Sequence, residues 1–272
     1  MIWDKRAIPL YWQLLDKKGS SNISEQKSLI TPILALLKDY EIILLGDREF
    51  GSVKLGSWLC EQEVKFVLRV KQERYIQQEF ADYTHLSELG LVPGTRFFFR
   101  DVKVTKQKGF GLFNVAGYWR RKYKGRVEDE GWYLLTNLET HDAPISAFKG
   151  RMGIEAMFKD CKTGGYNLEK SHANNERLKN LILLIALAYS CAVLQGQKIK
   201  RMGIQKYVGR LNEPKRLQRR HSSFWIGLYG QSWVVGMEFC QDIIEELMII
   251  RRNKLPFFQR GLRAMSLIIS SF

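Results

Sequence analysis

Residues 41–46 (EIILLG) form a short, nearly unbroken apolar run that stops on an acid, Asp47. The run is too short for a core helix and does not alternate, which predicts a strand buried on both faces, with packed layers above and below it. The neighbouring segments supply those layers. Residues 7–15 (AIPLYWQLL) read as a strand, with Pro9 placing it at an edge or a strand start. After a turn at 17–21, Asn22 or Ser24 can cap a helix running through Ile33, Leu34, Leu36 and Leu37. A second helix at about 53–62 leads to a further strand at 65–71 (KFVLRVK). This alternation of strands and helices predicts an α/β fold with a largely parallel sheet flanked by helices.

The pattern changes near residue 72. Residues 97–104, 111–119 and 131–138 read as strands separated by glycine-bearing, charged turns, a β-rich insertion over 72–140. It splits a core made of 1–71 and 141–195. After Pro144 a helix resumes that carries Arg151, Glu155 and Lys162 and stops at Gly164–Gly165. Helices at about 174–195 and 234–252 follow, and 196–272 forms a basic helical C-terminal region. The longest apolar run, residues 181–194, has fourteen residues. A membrane span needs roughly 18 or more, so the run is expected to be a buried helix of a soluble protein, with no membrane partner.

Charge narrows the partner. Forty-three Lys and Arg against 28 Asp and Glu leave a formal +15, with a pI near 9.7. Such an excess points to a polyanion, and 45% hydrophobic residues exclude a disordered basic tail. Residues 196–221 alone hold nine Lys or Arg, including Arg216, Arg219 and Arg220, against one acid, Glu213. They are expected to face a DNA backbone. The segment 117–126 (GYWRRKYKGR), with Trp119, Arg120 and Arg121, joins cations to aromatics that can stack on an unpaired base. Four cysteines and four histidines are too dispersed for a zinc site or a disulfide framework.

Two places can carry chemistry. Asp47 sits at the carboxyl end of a strand, where open α/β sheets collect ligands, although it can equally cap the next helix. On the later helix Phe148, Arg151, Glu155 and Lys162 fall within roughly 60° of one another. A carboxylate between two cations can hold a divalent ion while the cations take phosphate oxygens; an ordinary solvated face with i, i+4 pairing has the same spacing.

At these residues the chain resembles a known family. FKGRMGIEAMFKDCK, residues 148–162, is similar to the signature Y-x2-R-x3-E-x6-K of DDE transposases of the insertion-sequence-four type, followed by the GGYNLE continuation at 164–169. AIPLYWQLLDKKG and LLGDREFGS resemble two further blocks in the same order. The resemblance covers nearly all of 1–195. It implies a ribonuclease-H-like mixed sheet flanked by helices and interrupted by a β-rich insertion. It also implies metal-dependent DNA cleavage and strand transfer in cut-and-paste transposition, with two Mg2+ or Mn2+ ions. Position by position, Asp47 matches the second catalytic aspartate and Glu155 the catalytic glutamate, both metal ligands. Arg151 and Lys162 match residues that hold DNA phosphates. The implied partners are double-stranded DNA, as transposon ends and target, and a second copy on DNA. The implied location is a nucleoid-associated cytoplasmic one.

The chain departs from the pattern in two respects. Phe148 stands where the signature has tyrosine, and Gly150 and Gly153 lie within the helix at a cost of about 1 kcal/mol each against alanine. The family's first catalytic aspartate lies on a strand upstream of the block at 7–19, so the resemblance makes this an N-terminally truncated copy. With 7–15 as a far edge strand, Asp16 stands roughly 14 Å from Asp47, too far to share metals about 3.5–4 Å apart. The expected activity is therefore that of a transposase lacking one acid; a DNA-binding remnant without turnover and a ribonuclease-H-like nuclease are the alternatives.

Overall fold

The computed structural model describes residues 1–272 except 4–5, 18, 79–81, 106–110, 123–128, 163–164 and 210–219. The chain forms two compact units, Met1–Glu155 and Ala156–Phe272.

The first unit opens with two short strands, β1 (Ile2–Trp3) and β2 (Arg6–Ala7), paired only with each other. Ile8 still exchanges backbone hydrogen bonds with Met1, but residues 9–15, expected to continue a strand, have no ladder partner among the described residues. Pro9 lacks the N–H such a ladder needs, and the chain runs on irregularly to helix α1 (Ile23–Leu36). The distance drawn above for Asp16 from an edge strand at 7–15 therefore has no basis in the fold. Helix α1 starts as expected at Asn22. The Asn22 side chain accepts from the Glu25 N–H, and the Glu25 carboxylate accepts from the Asn22 N–H.

Strand β3 (Ile43–Gly46), helix α2 (Val53–Glu61) and strand β4 (Lys65–Val70) follow where the apolar pattern put them. Strands β5 (Tyr75–Gln77), β6 (Thr84–His85), β7 (Arg96–Val104), β8 (Gly111–Tyr118) and β9 (Trp132–Thr136) complete one seven-stranded sheet in the order β3-β4-β9-β8-β7-β5-β6. The expected α/β class, a mixed sheet flanked by helices, is the observed one and is consistent with a ribonuclease-H-like fold. The sheet is not largely parallel, however. Among the described residues only β3 and β4 run parallel, joined by the helical crossover α2; the other ladders are antiparallel. Nor is β3 enclosed: it is an edge strand, and Ile43 is exposed.

Both faces of the sheet are covered. Leu55 and Leu59 of α2 pack with Phe66, Leu68, Phe113 and Leu135 on one face. On the other, Ile145 and Phe148 of helix α3 (Asp142–Gly150) pack with Val67, Ala116 and Leu134. The single helix expected after Pro144 is broken. Helix α3 ends at Gly150, and α4 (Met152–Lys162) restarts after Arg151, a break that the low helix propensity of Gly150 and Gly153 favours.

In the second unit helix α5 (Asn175–Arg201), capped by Asn174, extends beyond the expected end at 195. A short α6 (Gln205–Val208), then α7 (Ser223–Phe239), α8 (Gln241–Ile250) and α9 (Leu255–Ile269) follow. The helix expected at 234–252 is thus two, α7 and α8, divided at Cys240. Helix α5 is 27 residues long, and by length and composition alone it is apolar enough to cross a membrane. Tyr189, Ala192 and Val193 on one face of it are buried with Phe224 of α7. The two backbones nearly touch: a Cβ on Gly196 would lie 1.7 Å from the Ser223 carbonyl oxygen, and one on Gly227 1.8 Å from that of Ala192.

Candidate active site at the end of strand β3

Strand β3 delivers Asp47 at its carboxyl end, and the four residues DREF then act separately. Asp47 does not cap α2; Ser52 does, by accepting from the Leu55 N–H. The Asp47 Oδ1 instead accepts from the Glu49 N–H at 3.1 Å, closing a local turn and leaving Oδ2 directed outward. Glu49 anchors the chain before α1, accepting from the Ser21 N–H and hydroxyl. Phe50 packs onto the core. The turn returns close against β4: a Cβ on Gly51 would sit 2.2 Å from the Arg69 carbonyl oxygen, so only glycine fits there.

The break between α3 and α4 creates the second half of the site. Arg151 lies at the junction with its side chain only 18% exposed, and Phe148 beneath it places its ring 5.8 Å from the guanidinium. From there Arg151 donates through one terminal nitrogen to Asp47 Oδ2 at 3.1 Å and through the other to Glu155 Oε1 at 2.6 Å. The guanidinium thereby bonds Asp47, 104 positions before it, and Glu155, 4 positions after it. The two carboxylates remain accessible, 44% and 54% exposed. Hard carboxylate oxygens of this kind suit Mg2+ or Mn2+. Among the described residues, no group of three or more His, Cys, Asp or Glu is gathered as a metal site.

The other expected residues are dispersed. Phe148 is 3% exposed and packs edge-on against Trp132, so its ring belongs to the core and not to a surface. Lys162 is exposed at the end of α4. Trp119 leans on the main core, while Arg120 and Arg121 are exposed. Through the register Val70↔Tyr133 and Trp132↔Tyr118, all three emerge from the same end of the sheet as Asp47. Arg220 is exposed just before α7; Arg216 and Arg219 lie outside the described residues.

A cluster beside Asp47 was not foreseen. The Glu130 carboxylate, just ahead of β9, accepts from Arg48 and, at 2.8 Å, from Arg69 on β4. Burial alone would raise the Glu130 pKa, but the Arg48 hydrogen bond and the charges of Arg69 and Arg48 hold it below the usual range. Burial, reinforced by the Arg48 charge, lowers that of Arg69. The one local signal was an arginine in the otherwise apolar strand KFVLRVK.

A mixed sheet with helices on both faces, and an acid at a strand end joined through arginine to an acid on a following helix, define an α/β protein with two carboxylates and one guanidinium gathered at a strand end. The profile of the family described as the transposase DDE domain matches residues 2–191, and the chain belongs to that family. A comparison with curated proteins found no match. Membership supports a transposase function in general terms, a nuclease-type chemistry, DNA as partner and the divalent metals such domains generally use.

Proposed function

We propose that this chain carries the catalytic core of a cut-and-paste DNA transposase of the insertion-sequence-four type, with Asp47 and Glu155 as its metal ligands. The observation that carries this reading is the Arg151 guanidinium bonded to both carboxylates at once. Two carboxylates gathered at one point repel unless a cation lies between them, and here Arg151 is that cation. When bound, Mg2+ or Mn2+ supplies the Lewis acidity that activates a water or 3′ hydroxyl and neutralises the departing oxygen at phosphorus. Arg151 presents a planar fork of donors that matches phosphate as well as carboxylate, and we assign it to the DNA backbone at the cut. Lys162, exposed on the same helix, is assigned a second phosphate.

Two carboxylates hold one ion, whereas two-ion chemistry calls for a further bridging acid. Strand β3 pairs on one side only among the described residues. We assign the third acid to a strand that adds to this open edge. The same open edge supports the second reading, in which the chain as it stands binds DNA without turnover.

Nicking of a supercoiled plasmid in Mn2+ tests both readings, comparing the 272-residue chain with one extended upstream by an Asp-bearing strand. The extended form is expected to cut and the short form to remain silent. Asp47→Ala or Glu155→Ala should abolish cutting, and Glu155→Gln should weaken Mn2+ binding by the short chain. Cutting that survives either alanine substitution would overturn the site. Robust cutting by the short chain, abolished by Asp47→Ala, would overturn the assignment of the third acid.

A further inference from the structure

Arg48, Arg69 and Arg151 lie at one end of the sheet, close enough for Arg48 and Arg151 to act electrostatically on Arg69. Each is occupied by a carboxylate: Arg151 by Asp47 and Glu155, and Arg48 and Arg69 together by Glu130. The Glu130 cluster is unequal in two respects. Two guanidiniums converge on a single atom, Glu130 Oε1, so one negative charge serves two positive ones. The partners also differ in freedom. Arg69 is 19% exposed and rooted in β4, which pairs on both sides, whereas Glu130 is 42% exposed in a bend before β9. Arg69 is fixed, whereas Arg48 and Glu130 are each 42% exposed, so the anion is able to leave.

A half-buried guanidinium held beside two others is costly unless an anion faces it, and the cost is recovered more fully when each guanidinium meets an oxygen of its own. A phosphodiester offers separate oxygens to the two forks, where the carboxylate offers one oxygen to both. We infer that Arg48 and Arg69 form a DNA-backbone phosphate subsite, and that Glu130 occupies it as an internal stand-in which DNA must displace. Glu130 thereby lowers affinity for any duplex that has to displace it. The inference rests on the reading of the chain as a DNA-acting enzyme, and deepens it by adding a phosphate contact on the β4 side of Asp47.

The test is fluorescence anisotropy of the full chain with a short labelled duplex of arbitrary sequence, titrated across a salt series. Glu130→Gln is expected to bind about 3–10-fold tighter, the scale of removing one competing partly exposed ion pair. Arg69→Gln and Arg48→Gln are expected to bind more weakly, each lowering the slope of log affinity against log salt by up to ~0.9. In Arg69→Gln/Glu130→Gln the gain from Glu130→Gln should vanish. Glu41→Gln is the charge control, because Glu41 pairs with Lys65 on the same sheet but at the opposite end of β4. Arg48 is 42% exposed, so its variant reports on binding even where Arg69→Gln folds poorly.

Equal effects of Glu130→Gln and Glu41→Gln, on a chain that binds duplex, would overturn the inference and leave the transposase reading standing. A chain that binds no duplex at all would instead remove the reading on which it rests. A third arm is thermal stability in sodium phosphate against sodium chloride at matched ionic strength. Stabilisation by phosphate that is lost in Arg69→Gln, with no effect of Glu130→Gln on duplex affinity, would make this a free-phosphate site and overturn the DNA assignment.

Discussion

The two units of the chain are held together by different means. Met1–Glu155 is built around a sheet whose central side chains Phe66, Leu68, Leu134 and Leu135 are fully buried. Ala156–Phe272 is a set of helices in which α5 meets α7 backbone to backbone at Gly196 and Gly227, while Phe239 and Ile250 stand 86% and 77% exposed. Charge divides just as unevenly. Of the formal +15, residues 1–155 carry +4 (24 Lys and Arg, 20 Asp and Glu) and residues 156–272 carry +11 (19 and 8). The nearly balanced sheet unit joins its charges in specific pairs, several of them at the strand end that carries Asp47, which fixes geometry there. The helical unit carries an unbalanced excess, which attracts a polyanion without specifying where it binds. Individually paired charges thus mark the first unit and an unbalanced excess the second.

The largest expected effect tests the sheet unit as a packed core. Leu134 is wholly buried between β4 and β8, paired with Arg69 and Ala116, so Leu134→Ala should destabilise by about 2–5 kcal/mol. Denaturant unfolding followed by sheet-unit tryptophans measures it. A loss below 1 kcal/mol would deny the sheet unit the close packing on which the contrast depends.

Next is the glycine contact. Gly227→Ala drives a methyl into the Ala192 carbonyl, so the helices must separate, at about 1–3 kcal/mol or more. The loss should appear in the transition of the helical unit and leave that of the sheet unit in place. A shift of both transitions together would show that the units unfold as one.

How much of this was legible in the sequence depended on how local the cause was. The strands at 43–46 and 65–70, and the cap narrowed to Asn22 or Ser24, depend on residues a few positions apart, and the pattern disclosed them. Residues 9–15 carry strand-like side chains, but a strand also requires a partner ladder, which no local pattern supplies. Helix α7 is apolar on nearly every side and so presents no stripe to mark its start. Asp47 and Glu155 were reached separately, through strand-end placement and the family signature. The arginine that joins them, and the pairing of Arg69 with Glu130 across 61 positions, depend on sheet register and on a helix break. Register is a long-range property, and spacing along the chain does not encode it.

A smaller effect probes the charge contrast. Replacing Arg216, Arg219 and Arg220 with glutamine removes three of the helical unit's cations. If each meets a phosphate, the slope of log affinity against log salt should fall by about 0.9 per residue, with no change in sequence preference. An unchanged slope would confine DNA contact to other cations and place these three outside the interface.

The smallest expected effect concerns the exposed apolar side chains of the helical unit. Phe239, the last residue of α7, is 86% exposed, so its ring has almost no contacts to lose. Phe239→Ser should therefore change unfolding free energy by no more than about 0.5 kcal/mol, the range for a surface substitution away from caps and networks. The contrast with Leu134→Ala comes from burial, since both changes delete a large apolar group. The substitution should instead act between molecules. A ring this exposed beside other apolar residues, such as Val235 at 56% and Ile243 at 61%, promotes association, and serine there should raise the concentration at which light scattering appears. Destabilisation above 1 kcal/mol would mean that Phe239 is covered in solution. The helical unit would then be packed as fully as the sheet unit, and the comparison between them would fail at its weakest point.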